Sequence, residues 1–396
     1  MIDESTLDFI RKHADEDIRT LSLQASRYPH VDMRAAATQI EGRRTAMNKL
    51  PSWAAIEGVI YPPRLSMEQC SSEVTARYKS SLTRGKLLTD LTGGFGIDCS
   101  YMSEHFDTTI YVERNSELCD IAHHNFTLLD KQIQVINGQS EEVLISLPKQ
   151  DWIFIDPARR SQSGGKVVAL SDCEPDVCQL EELLLEKAKG VMIKCSPMLD
   201  ISQAVRELHS VSEVHVVSVN NECKELLLIL KKSKEEEITI HTINFRNDHT
   251  QVFSYTATEE SKATCDYTAS VGRYLYEPNS SLMKAGCFRL PATQWNLKKL
   301  HNNTHLYTSD ILVTEFPGRI FEVERIDGFG KNELKQLSAR IKKANITVRN
   351  FPECPEVLRK RLKLSDGGDI YLFATTLSDE SHVIIQCKKN DLLKQL

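Results

Sequence analysis

The sequence predicts an α/β protein. An open, mostly parallel sheet of seven strands is preceded by a helical region and followed by small α+β modules. Three observations lead there. Strand-length apolar runs alternate with helical stretches from Leu87 to Leu230. The first run ends in a glycine-rich turn that leads into a helix, as in the βα connection of a doubly wound sheet. At 396 residues the chain is also too long for a single compact core, so two or three domains are expected.

Residues 1–82 read as helical. Thr6 to His13, Ser22 to Ser26, Met33 to Leu50 and Ser71 to Leu82 show helical spacing, with Pro51, Pro62 and Pro63 marking the loops between them. The segment Ser66-Met-Glu-Gln-Cys-Ser-Ser-Glu73 is dense in polar side chains. Helix capping by Ser71 or Ser72, with Glu73 close by, accounts for part of it.

The sheet domain is expected over residues 83–234. Its first strand begins at Leu87 and carries Asp90 at its carboxyl end. Thr92, Gly93, Gly94 and Gly96 follow in a turn where missing Cβ atoms let backbone approach a ligand closely. The second strand, Thr109-Ile-Tyr-Val-Glu-Arg-Asn115, ends in Glu113, which lies 23 residues after Asp90. That spacing suits an acid gripping ribose hydroxyls at the tip of the second strand of a βαβ unit. A plain glycine turn with an unrelated surface Glu is the competing reading, and the pair occurring together argues against it.

A pyrophosphate cradle would place glycines as G-x-G-x-x-G against a helix N-terminus. Here an acid precedes the glycines and would repel phosphate, so the ligand is expected to be an uncharged or cationic adenosyl compound. The third strand, Ile133 to Asn137, is followed by Gly138-Gln139-Ser140. The fourth, Asp151-Trp-Ile-Phe-Ile-Asp156-Pro157, delivers Asp156 to the sheet edge where open α/β sheets place their chemistry. Gly190 to Lys194, Glu213 to Val219 and Glu225 to Leu230 complete seven strands, with helices at Gln179 to Lys189 and Ile201 to Leu208. The connection between the last two strands is too short for a crossover helix, so they must pair antiparallel.

These residues resemble the class I S-adenosylmethionine-dependent methyltransferases, whose Rossmann-like sheet has six parallel-type strands and an antiparallel hairpin partner. The first motif of that family, an acid followed by alternating small residues, is matched by Asp90, Thr92, Gly94 and Gly96. The resemblance implies that the glycine loop, Gly93 included, packs against the methionine moiety of S-adenosylmethionine. It further implies that Glu113 binds the ribose, that Gln139 lies where residues touch the adenine, and that Asp156 borders the same site.

The rest of the chain narrows the resemblance. Lys231-Lys-Ser-Lys-Glu-Glu-Glu237 marks a solvated hinge or hairpin edge after the sheet, and residues 235–322 read as a β-rich connector with a small module. Strands at Arg319 to Glu324, Asn345 to Arg349 and Ile370 to Thr375 alternate with helices at Lys331 to Lys343 and Pro355 to Leu362, an α+β pattern. Leu50-Pro-Ser-Trp53, Ser66 to Glu73, Tyr78-Lys79, Asp156-Pro-Ala-Arg-Arg160, Tyr276-Glu-Pro-Asn279, Lys284-Ala-Gly286 and Phe351-Pro352 resemble a bacterial methyltransferase family. That family carries a ferredoxin-like segment and, here over residues 323–396, a THUMP-like domain. Since THUMP domains bind RNA in tRNA-modifying enzymes, the resemblance implies an RNA partner, tRNA or rRNA.

Charge is uneven along the chain. From residue 270 onward 20 Lys and Arg stand against 14 Asp and Glu, whereas the whole chain has a net charge of −6. The densest basic runs are Arg340-Ile-Lys-Lys343 and Arg359-Lys-Arg-Leu-Lys363. Phosphates would meet them first, although solvated helix faces also carry such runs. Eleven cysteines without a C-x-x-C pair fit neither a disulfide framework nor a zinc site and point to a reducing cytosol. No apolar run reaches the length of a membrane span, and Met1-Ile-Asp-Glu is acidic where a signal peptide would be basic. A cytoplasmic, soluble protein is expected. The histidines show no ligand spacing with carboxylates, so no metal site is expected.

Chemistry is expected at the ends of the fourth and fifth strands. Asp156-Pro-Ala-Arg159 lacks the aromatic residue that stacks on a flipped base in the exocyclic-amine methyltransferases. It is similar instead to the motif of the 5-methyluridine RNA enzymes and the tRNA guanine-N1 methyltransferases. In that reading Asp156 orients or deprotonates a base, and Arg159 holds a phosphate or a base carbonyl. A structural ion pair is the alternative role for Arg159. Ile193-Lys-Cys-Ser-Pro197 resembles the nucleophile segment of the 5-methyluridine enzymes, with Ser196 in place of Asn. Cys195 would add to C6 of a pyrimidine, with Lys194 lowering its pKa; a buried structural cysteine is the alternative. The expected activity is methylation of a base in structured RNA. A small-molecule or protein methyltransferase, or an RNA-binding module with a non-catalytic domain, are the other readings.

Overall fold

The computed structural model describes residues 2–159, 169–232, 237–247 and 249–389. Arg160, the side chain of Arg159 and residues 233–236 of the charged run lie outside the described residues. The chain divides into two compact units, Met1–Ser212 with Leu226–Glu235, and Glu213–Glu225 with Glu236–Leu396.

The first unit opens with helices α1 (Glu4–Lys12), α2 (Ile18–Leu23), α3 (Met33–Lys49), α4 (Pro51–Ala54), α5 (Arg64–Gln69) and α6 (Glu73–Ser81). Aspartates set three of the starts, because the carboxylates of Asp3, Asp17 and Asp32 accept the otherwise orphaned N–H groups of Thr6, Thr20 and Ala35. The Asp17 cap starts α2 earlier than the helix expected at Ser22 to Ser26, so that Ser22 and Leu23 end it and a 3-10 turn follows at Ala25–Arg27. Ser72, not Ser71, caps α6. Buried Trp53, Tyr61, Met67, Phe95 and Tyr101 pack the later helices onto the glycine-rich turn.

The sheet of this unit contains β1 (Gly85–Asp90), β2 (Phe106–Glu113), β3 (Ile133–Asn137), β4 (Gln150–Ile155), β5 (Ala188–Cys195), the start of β6 (Val211–Val219) and most of β7 (Glu222–Lys231). Between them run α7 (Ile97–Met102), α8 (Ser116–Leu128), α9 (Ser140–Ser146), α10 (Val177–Lys187) and α11 (Ile201–Glu207). β1 pairs parallel with β2 and β4, β3 extends from β2, β5 extends from β4, and β7 lies antiparallel to β5. Ser212 Oγ donates to the Ile229 carbonyl at 3.1 Å, which sets the base of β6 beside β7. The seven strands the sequence predicts run in the order 3-2-1-4-5-7-6. Asn220 and Asn221, both with positive φ, make the two-residue turn that forces the antiparallel return. Strand order reverses between β1 and β4, so a crevice is expected outside their carboxyl ends.

In the second unit β8 (Thr239–Phe245) pairs parallel with β6, and β9 (Thr250–Thr256) pairs antiparallel with β8. The connector thus contributes two strands that the sequence reading left unassigned. A separate sheet holds β10 (Tyr274–Pro278), β11 (Lys298–Lys299), β12 (Tyr307–Ser309), β13 (Gly318–Gly328), β14 (Asn345–Arg349), β15 (Ile370–Thr376) and β16 (His382–Lys389). Its order is β11-β12-β10-β13-β16-β15-β14. The ferredoxin-like and THUMP-like stretches therefore share one sheet, joined where β10 pairs with β13. Helices α12 (Ala257–Lys262), α13 (Ser280–Ala285), α14 (Leu290–Gln294), α15 (Lys331–Arg340) and α16 (Pro355–Leu362) complete the unit. No helix among the described residues is long and apolar enough to cross a membrane.

Candidate cofactor and acceptor site

The glycine turn is shaped by β2. The Gly93 N–H donates to the Val112 carbonyl at 2.8 Å, and the Gly94 N–H donates to Glu113 Oε2 at 2.9 Å. Tyr111 Oη donates back to the Gly94 carbonyl at 2.5 Å. A Cβ on Gly93 would lie 2.1 Å from the Tyr111 ring, so only glycine fits there. Gly94, at φ +53°, has nothing closer to its missing Cβ than the Thr92 carbonyl at 3.9 Å and faces open space. Gly96, at φ +85°, caps α7 in a left-handed conformation.

Glu113 stands at the tip of β2 as expected, and Oε1 accepts the Asn115 N–H at 2.9 Å. Each carboxylate oxygen holds one backbone donor and keeps a lone pair for a further partner. Gln139 precedes α9 at the end of β3, exposed, and the neighbouring Gly138 N–H donates to the Glu113 carbonyl at 3.1 Å. Asp90 is fully buried. Its Oδ1 accepts the Thr92 N–H at 3.0 Å, and Oδ2 has no hydrogen-bond partner. Burial first, then the charges of Asp98, Asp156 and Glu113, push its pKa well above the ordinary carboxylate value, against the Thr92 hydrogen bond. A buried carboxyl oxygen without a partner, glycine backbone facing open space and a carboxylate at the tip of β2 fit an adenosyl ligand with a cationic or polar tail.

Asp156 follows β4 directly, and its N–H donates to Thr92 Oγ1 at 2.6 Å, which ties the fourth strand to the glycine turn. Its Oδ2 lies 2.5 Å from Lys194 Nζ on β5, and Lys194 lies 3.7 Å from Asp98 Oδ2. Asp98 Oδ1 in turn is 3.2 Å from Lys79 Nζ, a side chain with no solvent exposure. Ser71 Oγ donates to Asp98 Oδ2 at 2.7 Å and accepts from Lys79 at 3.1 Å. Burial raises the Asp98 pKa, but Lys79, Lys194 and Ser71 outweigh it and hold the carboxyl below its ordinary value. This chain of two ammonium and two carboxylate groups was not foreseen from the sequence. Tyr78-Lys79 and Ser66 to Glu73 stood out there only as motifs, because their partners come from other elements.

The thiol weighed as a nucleophile lies on β5. Cys195 is buried, and burial, Asp156 and Cys173 push its pKa well above the ordinary thiol value, outweighing Lys194. Successive strand residues point to opposite faces. Lys194 is turned to Asp156 and Asp98. The backbone of Ala158–Arg159 forms a two-residue strand against Cys173–Glu174.

In the second unit several basic side chains expected to meet phosphates are already engaged. Arg340 lies 2.6 Å from Asp327 and Arg359 lies 2.7 Å from Asp366. Arg361 pairs with Glu353 and stacks 4.9 Å over the Phe329 ring. Lys360 and Lys363 are exposed. Against the expectation for the histidines, Glu213, His215 and His241 come together, with their donor atoms within 4.8 Å of one another.

Comparison with known proteins follows the same division. Residues 274–317 match a ferredoxin-like domain model and residues 318–389 a THUMP domain-like model. No curated protein matches the sequence. Among solved structures, a protein described as "putative methyltransferase from Porphyromonas gingivalis W83" is 36% identical with a TM-score of 0.89, covering 99% of this chain and 100% of that one. M. capricolum TrmK in complex with S-adenosyl-homocysteine is 13% identical with a TM-score of 0.31, over 40% of this chain and 68% of that one. A Pyrococcus abyssi tRNA (uracil-54, C5)-methyltransferase is 14% identical with a TM-score of 0.29, over 45% and 40%. Scores this low carry no inference about this chain. The full-length match does: the chain belongs to the family of the Porphyromonas protein, in which a class I methyltransferase sheet is followed by a ferredoxin-like segment and a THUMP-like domain.

Proposed function

We propose that this protein is an S-adenosylmethionine-dependent methyltransferase acting on a base in structured RNA, tRNA or rRNA. The observation that carries the reading is the convergence at the strand-order reversal. The glycine turn, the partnerless Asp90 oxygen and Glu113 lie on one side, and Asp156 is tied to the same turn through Thr92.

When bound, the cofactor supplies a methyl group on a sulfonium. Glu113 would hold the ribose through its remaining lone pairs, Gln139 would meet the adenine, and Gly94, in the turn that Gly93 and Gly96 shape, would offer open backbone to the methionine part. Asp90 and Thr92 line the floor of that turn. Asp156, paired with Lys194, presents a carboxylate that orients the acceptor base and accepts its proton, and Arg159 holds a phosphate or base carbonyl. Positioning donor and acceptor in line supplies most of the rate. The THUMP-like match and the exposed lysines of α16 and its cap, Lys360 and Lys363, support an RNA partner. The interior of a cell is the corresponding setting.

The test is calorimetric titration of S-adenosylmethionine and S-adenosylhomocysteine into wild type and Glu113→Ala, followed by transfer of labelled methyl groups to RNA, protein and small-molecule pools. Saturable binding weakened by the substitution, with label in RNA, is expected. Binding with label only in protein or small molecules would overturn the RNA reading. No cofactor binding would overturn the methyltransferase reading.

A further inference from the structure

We propose that Glu213, His215 and His241 form a binding site for a divalent transition metal, with zinc the ion their chemistry matches best. The site lies wholly in the second unit and is independent of the methyl-transfer reading. Glu213 and His215 are two residues apart on β6, so their side chains share one face of the strand. His241 stands directly opposite His215 on the parallel neighbour β8.

The donor atoms converge. His215 Nε2 lies 3.3 Å and His241 Nε2 3.7 Å from the same Glu213 oxygen, Oε2. Ligands held about 2.1 Å from a tetrahedral ion are separated from each other by roughly 3.4 Å, so small side-chain movements would admit the ion. The rings stack with centroids 4.5 Å apart and planes 20° apart, so one ring must turn for both in-plane Nε2 lone pairs to meet at one ion. His241 Nδ1 lies 2.8 Å from Ser254 Oγ on β9. In the tautomer that donates Nδ1–H to that serine, Nε2 carries the lone pair a metal would take, the usual outer-shell arrangement of a ligating histidine.

Access and selectivity follow from the same residues. His215 is buried, while Glu213 and His241 keep 24% and 26% of their side chains exposed, which gives an ion a route inward. Two imidazoles and one carboxylate leave a fourth position for water and favour zinc or a similar ion. Calcium and magnesium would need more oxygen ligands than these residues supply.

The experiment uses tag-free, full-length protein stripped with chelator. Zinc is titrated calorimetrically into wild type, Glu213→Gln, His241→Ala and Ser254→Ala, and cobalt is added as a spectroscopic probe of the ligands. One saturable site per chain is expected, weakened at least about tenfold in Glu213→Gln and His241→Ala and about tenfold in Ser254→Ala. Cobalt should give the ligand-field bands of a four-coordinate site without thiolate charge transfer, and zinc should raise the melting temperature of wild type but not of His241→Ala. Circular dichroism without metal checks that the variants fold, with the near-isosteric Glu213→Gln as the safeguard. Equal zinc affinity in wild type and all variants, or thiolate charge transfer that signals binding by the cysteines, would overturn the proposal.

Discussion

Lys79 buries its ammonium 3.2 Å from the Asp98 carboxylate, and no part of the lysine side chain reaches solvent. Removing one member of a buried ion pair leaves the other uncompensated, which costs about 3–5 kcal/mol. Because Lys194 still lies 3.7 Å from Asp98, Lys79→Met is expected to lose stability at or below the lower end of that range by urea denaturation. The sign with pH follows from Asp98, whose folded pKa is lowered mainly by the two lysines working against burial. Its stabilising contribution is present above the unfolded carboxylate pKa and is lost as pH falls through the folded value. The Lys79→Met deficit should therefore be largest near neutrality and shrink in acid, and adding Asp98→Asn should recover part of it.

Asp90 predicts the opposite sign. Its pKa is raised, chiefly by burial, so it favours the folded state below its unfolded pKa, and that advantage is lost as pH rises through the folded value. Asp90→Asn keeps an oxygen for the Thr92 N–H and removes the buried charge. Thermal unfolding at several pH values should show the variant gaining on wild type as pH increases. An unchanged difference from acid to neutral pH would count against a raised pKa.

For Cys195, the buried thiol on the face away from Lys194 predicts that Cys195→Ala leaves methyl transfer within about twofold of wild type once a substrate is in hand. Loss of turnover with intact S-adenosylhomocysteine binding would restore the nucleophile.

The exposed lysines of α16 and its cap give a salt-dependence test. If RNA phosphates meet Lys360 and Lys363, the double variant Lys360→Gln/Lys363→Gln should weaken RNA binding across sequences. It should also reduce the slope of log affinity against log salt by roughly 1.4–1.8. Filter binding at several salt concentrations measures both. Arg359 and Arg361 already hold Asp366 and Glu353, so substituting them would confound folding with binding.

How much of this was legible in the sequence depended on whether the determinants were local. The glycine turn and the strand ends that carry Asp90, Glu113 and Asp156 were legible because one strand and its following turn carry each signal. The antiparallel β7 was found because its connection is short. The Lys79–Asp98–Lys194–Asp156 chain was not, since its members sit on α6, α7, β5 and the end of β4 and only packing brings them together. Glu213 and His215 alternate on one strand, but the spacing to His241 is set by the pairing of β8 with β6, which no local pattern announces. For Cys195 and Lys194 the tetrapeptide names neighbours without saying that they face opposite ways.

The bracing of the glycine turn by Tyr111 and Glu113 bears on the entropy of binding. A loop fixed by side chains from the adjacent strand has already given up the freedom that a slack loop would surrender to its ligand, so little of the binding free energy is spent on ordering it. Tyr111→Phe removes the hydroxyl that holds the Gly94 carbonyl while keeping the ring that fills the space beside Gly93. Such a change would loosen the turn without emptying it, and its signature would be a less favourable entropy of association with the contacts to the ligand left intact.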